Sequence, residues 1–352
     1  MRLAFAPYTL HFRNPAGTSR GVLLEKPTYL IKVFDEGSPE HYGLGEAPVF
    51  PGLSPEADSR YEYKLVELLA NVALGRPTDL SRHSSIQFGL EQSLLDFSLG
   101  CSGLYYPSAF TAGDKTIEIN GLVWMGSLEE MTSRIEEKVN AGFRCIKLKI
   151  GALDWAQEEG MISAVRRRFS PEELEIRVDA NGGFPMDSAL PRLKWLADMG
   201  IHSIEQPIPA GNRELMAFLC STSPLPIALD EELIGISATE DKIRILDKIK
   251  PAYIILKPAL CGGFSGASEW IDLAVERGIG WWITSSLESN VGLNALAQFT
   301  ASLNTAIPQG LGTGNLFTDN FPSPLSLDSD RLAYNPETVI DRSVFDNLEW
   351  RE

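Results

Sequence analysis

Short apolar segments alternate with longer amphipathic segments along most of this chain. From residue 117 onward, each apolar segment has the length of a β-strand and ends in a polar or charged residue, and a stretch with helical spacing follows it. This alternation predicts an α/β fold in which helices join parallel strands. The predicted strands cover 117–123, 144–149, 175–179, 201–205, 226–230, 253–257 and 280–285, and the predicted helices cover 128–141, 155–169, 188–199, 213–220, 238–249, 266–277 and 290–303.

The ends of the predicted strands recur about 25 to 30 residues apart, which is the length that one strand, one helix and two loops require. The successive units carry no sequence similarity to one another, so the pattern is not that of a solenoid. A further strand is predicted near 308–312, and no helical period follows it. We therefore predict a modified TIM (β/α)8 barrel of the (β/α)7β kind, and not an open sheet.

The first part of the chain has a different order, with strands first and helices afterwards, which is typical of an α+β module. Ser84 and Ser85 are predicted to cap its second helix, and the Gly- and Pro-rich segment 41–53 is predicted to be a loop. The predicted strands cover 3–12 and 21–34, and the predicted helices cover 61–74 and 85–99. The predicted parts of the chain are an α+β capping domain over 1–115, the barrel over 116–318, and a C-terminal segment over 319–352 that returns to the capping domain.

The composition narrows the classes of partner and location. Hydrophobic residues make up 44% and charged residues 22% of the chain, which is typical of a folded protein and not of a disordered one. The net charge of −16 argues against nucleic acid or an anionic membrane as a partner. The sequence predicts no membrane span and no signal peptide, and four buried, unpaired cysteines. We expect a cytoplasmic protein that binds a small molecule and is able to form a homo-oligomer.

Carboxylates end three consecutive predicted strands, at Asp179, Glu205 and Asp230. In such barrels the functional residues lie at the carboxyl ends of the strands, and neighbouring strands are about 4.8 Å apart. Three carboxylates at this spacing would repel one another unless a cation lay among them. A ligand set made only of oxygens favours Mg²⁺ or Mn²⁺ over Zn²⁺. The alternative is that each acid caps the helix that follows it.

Lys147 and Lys149 lie two residues apart in one predicted strand, so both side chains point to the same face. Apolar residues flank them, which predicts a buried strand. A second lysine and a divalent cation nearby would lower the pKa of each amine, and a neutral amine is a competent general base. The alternative is an edge strand with solvated lysines.

Lys257 ends the sixth predicted strand, whereas Lys149 ends the second. In a ring of eight strands these positions face each other across the mouth, so a bound substrate would have one amine on either face. One alternative is a lysine that extends from a strand end into solvent. Another is a Schiff-base lysine of a metal-free, aldolase-like barrel, which the three carboxylates argue against.

The segments KLK, DANGG, EQPI, LDEE and ILKP, at these spacings, closely resemble the enolase superfamily, and within it the muconate cycloisomerase subgroup. The resemblance covers nearly the whole chain, including a capping module. The segments SSLESNVGLNALAQFTA and GLGTGNLFTDNFPSP most resemble the o-succinylbenzoate synthases of the Bacteroidetes type. The resemblance implies a hydro-lyase of menaquinone biosynthesis. Such an enzyme dehydrates 2-succinyl-6-hydroxy-2,4-cyclohexadiene-1-carboxylate in the syn sense, giving o-succinylbenzoate.

The resemblance also implies a role for each candidate residue. Mg²⁺, with Mn²⁺ able to substitute, would bind the substrate carboxylate and stabilise the enediolate formed on deprotonation. Lys149 would remove and return the proton, and Lys147 would position Lys149. Lys257 would offer positive charge to the other face of the intermediate. The loops around 18–20 and 46–53 would cover the mouth. The implied metal ligands are Asp179, Glu205 and Asp230, with Asn181 and Glu231 as their partners, and the implied substrate-binding residues are Ser285, Ser286, Gly312, Thr18 and Arg20.

Related activities remain as alternatives. Dipeptide epimerases of the superfamily are similar in their lysines but usually carry an Asp-x-Asp motif after the eighth strand, where this chain reads GLGTG and has no acid until Asp319. The mandelate racemase branch places a histidine on a late strand, and no histidine of this chain lies beyond His202. N-acylamino acid racemisation uses the same pair of lysines and stays open, as does a non-catalytic binding role on this scaffold.

Overall fold

A three-stranded antiparallel sheet and two helices form the N-terminal part of the molecule in the computed structural model, which describes residues 1–18 and 21–352. The sheet has the order β1-β2-β3, and the helices pack their apolar sides against it. The elements are β1 (Arg2–Thr18), β2 (Gly21–Asp35), β3 (Ser38–Ala47), α1 (Tyr61–Ala73) and α2 (Ser84–Ser98). Both predicted strands and both predicted helices are therefore confirmed.

The glycine-rich segment that the sequence predicts to be a loop is in part the strand β3, so this prediction was wrong. Gly43 and Gly45 lie within this strand and allow a helix to pack closely against it. A Cβ atom on Gly45 would lie 2.1 Å from the carbonyl oxygen of Gly89 in α2. A Cβ atom on Gly43 would lie 2.0 Å from the carbonyl oxygen of Ser93. The glycines therefore mark close packing of α2 on the sheet.

The prediction that Ser84 or Ser85 caps α2 was also wrong. The helix begins at Ser84, the residue before it is His83, and no side chain accepts a capping hydrogen bond there. The hydroxyl of Ser85 instead donates to Glu56 at 2.9 Å and lies 2.9 Å from the hydroxyl of Tyr61. The serine thus joins α2 to the start of α1 and to the loop before it.

The predicted strand 117–123 is two strands. β4 (Ile117–Glu118) pairs outside the barrel, and β5 (Gly121–Val123) is the first strand of a seven-stranded parallel sheet in chain order. The remaining barrel strands are β6 (Cys145–Lys149), β7 (Glu175–Asp179), β8 (Ser203–Glu205), β9 (Ile227–Leu229), β10 (Tyr253–Leu256) and β11 (Gly280–Ile283). The helices between and after them are α3 (Leu128–Asn140), α4 (Trp155–Arg168), α5 (Ala189–Asp198), α6 (Arg213–Thr222), α7 (Thr239–Ile249), α8 (Gly263–Val275) and α9 (Asn290–Ser302). The β/α alternation is confirmed.

Residues 309–310 close the barrel as its short eighth strand. Gly310 pairs in parallel with Thr284, and Gln309 pairs in parallel with Ile119, so the segment joins the two edges of the sheet. The side chain of Gln309 reinforces this closure by accepting a hydrogen bond from the backbone N–H of Ile283 at 2.8 Å. Within the described residues, no helix follows before β12 (Leu325–Asp328) and β13 (Arg331–Tyr334). The (β/α)7β prediction is therefore confirmed.

The C-terminal residues return to the N-terminal sheet. Phe5 and Arg351 exchange two backbone hydrogen bonds of 2.8 Å, which adds a short strand beside β1. β12 pairs with β13, and β13 pairs in turn with β4, which forms a separate three-stranded antiparallel sheet. Division of the chain at residues 115 and 318 stays a prediction. No helix in the described part of the chain is long and apolar enough to cross a membrane.

Candidate active site

Three buried carboxylates lie at the carboxyl ends of consecutive strands. Asp179 in β7 stands opposite Glu205 in β8, and Asp230 directly follows β9. The three residues are 0%, 2% and 2% exposed. None of them caps the next α-helix, because those helices begin after Ser188, Asn212 and Ala238. The alternative of three separate helix caps is therefore wrong.

The lysines of β6 lie against these carboxylates. β6 is paired on both sides, with β5 and β7, so the edge-strand alternative is wrong. The Nζ atom of Lys149 donates to Oδ2 of Asp179 at 2.6 Å and to Oδ1 of Asn181 at 2.8 Å. The Nζ atom of Lys147 is 2.9 Å from the same Asp179 oxygen and also contacts Glu205. Both amines thus belong to one buried ionic cluster.

Lys257 approaches the cluster from the opposite side. It directly follows β10, four strands around the barrel from β6, and its Nζ atom contacts Oδ2 of Asp230. Lys149 and Lys257 line the same cavity. The sequence prediction that a substrate would meet one amine from either side agrees with this placement.

The negative charge of Glu205 is the least stabilised of the three carboxylates. Burial and the negative charges of Asp179 and Asp230 raise the pKa of Glu205 well above its usual range. Neither oxygen of its carboxylate accepts a hydrogen bond of good geometry. The pKa of Asp179 is lowered, because attraction to Lys147 and Lys149 outweighs the effect of burial.

The carboxylates of the cluster dominate the electrostatics of its lysines. Burial disfavours the charged form of Lys147, but attraction to Asp179 and Glu205 outweighs burial and raises the pKa. The same balance, with Asp230 as the main partner, raises the pKa of Lys257. The lowered pKa that the sequence predicts for Lys147 depends on a divalent cation beside it, and it stays a prediction.

The carboxylate set fits a hard divalent cation. Its donors are all oxygens, they are buried, and both oxygens of Glu205 have unused acceptor capacity. Among the residues that the structure describes, no three acidic, histidine or cysteine side chains already converge at ligand spacing. Lysine ammonium groups contact Asp179, Glu205 and Asp230 instead. A divalent cation among these oxygens would relieve the same repulsion with a larger charge.

Asn181 links the candidate base to an outer carboxylate. Besides accepting from Lys149, it donates from Nδ2 to Oε1 of Glu231 at 3.0 Å, and its backbone has a φ of +43°. Its backbone N–H donates to Oδ1 of Asp179 at 2.9 Å. Burial raises the pKa of Glu231, and the charge of Asp230 adds to this. Both residues thus lie where the sequence predicts them, next to the inner cluster.

A cavity of about 80 Å³ opens above the cluster. One wall comes from the segment after β3, through Phe50 and Leu53, as expected of a loop that covers the mouth. Among the predicted substrate-binding residues, Ser285, Ser286 and Gly312 line the cavity. Arg20 and the side chain of Thr18 lie outside the described residues. Further lining residues that the sequence did not single out are Asn120, Leu122, Trp124, Thr284, Leu287, Gly310 and Thr313.

Glu288 fixes the two cavity serines and was missed by the sequence analysis. Its carboxylate accepts from the hydroxyl of Ser285 at 2.5 Å and from the hydroxyl of Ser286 at 2.7 Å. It also accepts from the backbone N–H of Ser286 at 3.0 Å. The only signal in the sequence was a glutamate three residues after the predicted strand 280–285. Hydrogen bonds to one buried carboxylate therefore fix both serines on this wall of the cavity.

Comparison with known proteins places the chain among related enzymes. Residues 130–335 match the family model described as enolase C-terminal domain-like. The chain is 44% identical to the o-succinylbenzoate synthase of Desulfotalea psychrophila, over 95% of this chain and 99% of that protein. It is 23% identical to the L-Ala-D/L-Glu epimerase of Bacillus subtilis, over 96% and 93%. The crystal structure of MenC from Desulfotalea psychrophila LSv54 superposes with a TM-score of 0.84 at 41% identity, covering 95% and 99%.

Proposed function

We propose, since this chain belongs to the enolase C-terminal domain-like family, that it is an o-succinylbenzoate synthase. It converts 2-succinyl-6-hydroxy-2,4-cyclohexadiene-1-carboxylate to o-succinylbenzoate and water, a step of menaquinone biosynthesis. The observation that carries the proposal is the pair of amines, Lys149 and Lys257, that line one cavity above three buried carboxylates. The 44% identity to an o-succinylbenzoate synthase over nearly the whole chain supports the choice of reaction.

Lys149 acts as the base and then as the acid. It removes the proton from the ring carbon that bears the carboxylate, and the electron pair of that C–H bond forms the last double bond of the aromatic ring. The C–O bond to the hydroxyl breaks, and the same amine returns the proton to the departing oxygen, so that water leaves. Because one group serves both steps, the proton and the hydroxyl leave from the same face.

Asn181 and Lys147 hold this amine in position. Asn181 accepts a hydrogen bond from the Nζ atom of Lys149, and Glu231 in turn accepts one from Asn181. Lys147 contacts the same Asp179 oxygen as Lys149 and so keeps a positive charge beside the base.

Lys257 faces the substrate ring from the other side and stabilises the negative charge that spreads over it. The apolar part of the cavity, which includes Leu122, Trp124 and Leu287, suits the ring. The hydroxyls of Ser285 and Ser286 and the backbone at Gly312 are suited to the succinyl chain, and Thr18 and Arg20 are candidates for the same role from the covering loop.

Asp179, Glu205 and Asp230 would hold a divalent metal, which we propose to be Mg²⁺ with Mn²⁺ able to substitute. When bound, the metal supplies positive charge for the substrate carboxylate, which makes the neighbouring C–H bond acidic enough for an amine to deprotonate. Buried Glu205, whose Oε1 atom accepts no hydrogen bond, supports this assignment.

Epimerisation of a dipeptide is the second candidate, because opposed lysines also suit removal and return of a proton from opposite faces. The 23% identity to an L-Ala-D/L-Glu epimerase keeps it in view. The first acid after the eighth strand is Asp319. Its Oδ2 atom lies 2.6 Å from Nδ1 of His11, and the residue does not line the cavity. A cytoplasmic location and a homo-oligomeric state stay predictions.

The test is a spectrophotometric assay of the purified protein with Mg²⁺, following loss of the diene absorbance of the substrate. We expect EDTA-sensitive turnover to o-succinylbenzoate, and its loss in Lys149→Ala by at least about 100-fold, the smallest contribution usual for a general base. Absence of turnover in the Mg²⁺-loaded wild-type protein would contradict the proposal and leave epimerisation as the next reaction to assay.

A further inference from the structure

Three buried charged side chains lie outside the active-site machinery, near the contact between the N-terminal sheet and the barrel. They are Lys26 of β2, which is 1% exposed, and Glu46 of β3 and Glu288 after β11, both 0% exposed. Lysine and glutamate are almost never fully buried without a partner. The reaction proposed above uses none of these three residues.

Lys26 holds the segment that forms one wall of the substrate cavity. Its Nζ atom donates to the carbonyl oxygen of Val49 at 3.0 Å and to that of Pro48 at 3.2 Å. The same atom lies 5.3 Å from the centroid of the Phe50 ring. These contacts fix the backbone directly before Phe50 and one face of its ring. Phe50 and Leu53, a few residues on, line the cavity.

Glu46 ties the same sheet to the barrel helix α9. Its carboxylate accepts from the backbone N–H groups of Ser289 and Gly292, both at 2.9 Å, at the beginning of that helix. It also accepts from the hydroxyls of Ser289 at 2.5 Å and Thr28 at 2.8 Å. A Cβ atom on Gly292 would lie 2.8 Å from this carboxylate. The N-terminal sheet is therefore docked where the opposite cavity wall begins.

Glu288 holds that opposite wall through its hydrogen bonds to Ser285 and Ser286. Leu287, which lies between Ser286 and Glu288 in the chain, has a left-handed φ of +65°. Such a conformation persists in a residue other than glycine only where its surroundings impose it. Burial lowers the pKa of Lys26 to about 8, and the charges of Glu46 and Glu288 act against this lowering. One buried cation thus interacts with anions that belong to both walls.

We propose that Lys26 is a positioning residue which holds the 48–54 segment where Phe50 packs in one apolar cluster with Leu287 of the opposite wall, and so sets the shape of the substrate cavity. Lys26 acts on substrate binding and not on proton transfer, because it touches neither the cavity nor the active-site lysines. This inference rests on the proposed function for its substrate, but its structural content does not.

The first measurement is hydrogen–deuterium exchange of the Mg²⁺-loaded full chain, wild type against Lys26→Met. The amides of Phe50 and Ser54 are hydrogen-bonded within the 48–54 segment, so they are protected while it is held. We expect exchange in 48–54 to accelerate by about tenfold or more in the variant, with barrel-strand peptides unchanged. Unchanged exchange in 48–54 would overturn the proposal, whether or not the protein dehydrates the proposed substrate.

The second measurement separates binding from chemistry. In Lys26→Met, KM for the cyclohexadiene substrate should rise by about tenfold or more while kcat stays within about threefold. Lys26→Arg, which keeps the charge, should restore most of the loss. A fall in kcat with KM unchanged would indicate a merely structural lysine and overturn the proposal.

Lys32 provides the matched control, because it lies on the same strand and its Nζ atom also contacts an aromatic ring, 4.5 Å from the Trp350 centroid. Lys32→Met should leave KM and the exchange of 48–54 unchanged, and an equal effect there would overturn the proposal. Should Lys26→Met not fold, Lys26→Gln, which keeps a donor without the charge, is to show the same shifts. No turnover by the wild-type protein would refute the proposed function alone, since the exchange result stands by itself.

Discussion

Asn181→Ala is the substitution that most directly tests whether the hydrogen bonds around Lys149 matter for the chemistry. Asn181 accepts from the Nζ atom of Lys149 at 2.8 Å and donates to Glu231 at 3.0 Å. The substitution removes both bonds and leaves the contact between Lys149 and Asp179 in place. Lys149 would then be held from one side only.

The expected fall in kcat follows from the strength of the hydrogen bond between Asn181 and the amine of Lys149. A hydrogen bond to a charged group contributes about 1.5 to 3 kcal/mol. If that amount orients the base in the transition state, kcat falls by about 10- to 150-fold. KM should change by less than about threefold, because Asn181 holds the base and not the bulk of the substrate. The left-handed φ of +43° adds a backbone penalty of about 1 kcal/mol for alanine, which lowers stability and not the rate per folded molecule.

Asn304→Ala is the matched control for that backbone penalty. Asn304 has a similar φ of +50°, and it is exposed and away from the cavity. The assay is steady-state dehydration at saturating Mg²⁺, normalised to folded protein from a thermal unfolding curve. An Asn181→Ala kcat within about twofold of wild type would refute the reasoning, as would an equal fall of kcat in Asn304→Ala.

Two further predictions concern packing and pH. Gly45→Ala should destabilise the protein by about 2 kcal/mol or more, because its Cβ atom would lie 2.1 Å from a helix carbonyl oxygen. The exposed helical Gly160→Ala, with open space around the new atom, should stabilise it by about 0.5 to 1 kcal/mol; urea unfolding midpoints measure both, and equal shifts would contradict the packing argument. Burial lowers the pKa of Lys26 to about 8. Above that pH Lys26 loses its proton, so Glu46 and Glu288 lose the nearby positive charge. KM of the wild type should therefore rise by about three- to tenfold above that pH, while Lys26→Arg, whose guanidinium stays protonated, should give a flat KM profile.

The barrel and the order of its functional strand ends were predictable because parallel strands place their carboxyl ends on one rim. A strand end can be located from a short apolar run, and its neighbours follow from chain order. Asp179, Glu205 and Lys257 were found in this way, without knowledge of any contact. Each of them lies within one residue of the end of the strand that the structure shows.

Features that depend on packing between distant segments were not predictable from the sequence. Gly45 reads as a loop residue until the helix that approaches it is known. Lys26, next to Pro27 in a strand, reads as a surface lysine until the 48–50 segment that contacts its amine is known. The raised pKa of Lys147 could not be foreseen for the same reason, because its partners Asp179 and Glu205 come from other strands.

The central claim is that Lys149 moves the proton in a metal-dependent dehydration. The most direct measurement follows the reaction of 2-succinyl-6-hydroxy-2,4-cyclohexadiene-1-carboxylate in the Mg²⁺-loaded wild type, with EDTA and with Lys149→Ala as the two comparisons. The account predicts conversion to o-succinylbenzoate that EDTA abolishes and that Lys149→Ala reduces by at least about 100-fold. Full conversion by Lys149→Ala, or conversion that survives complete removal of divalent metal, would contradict it.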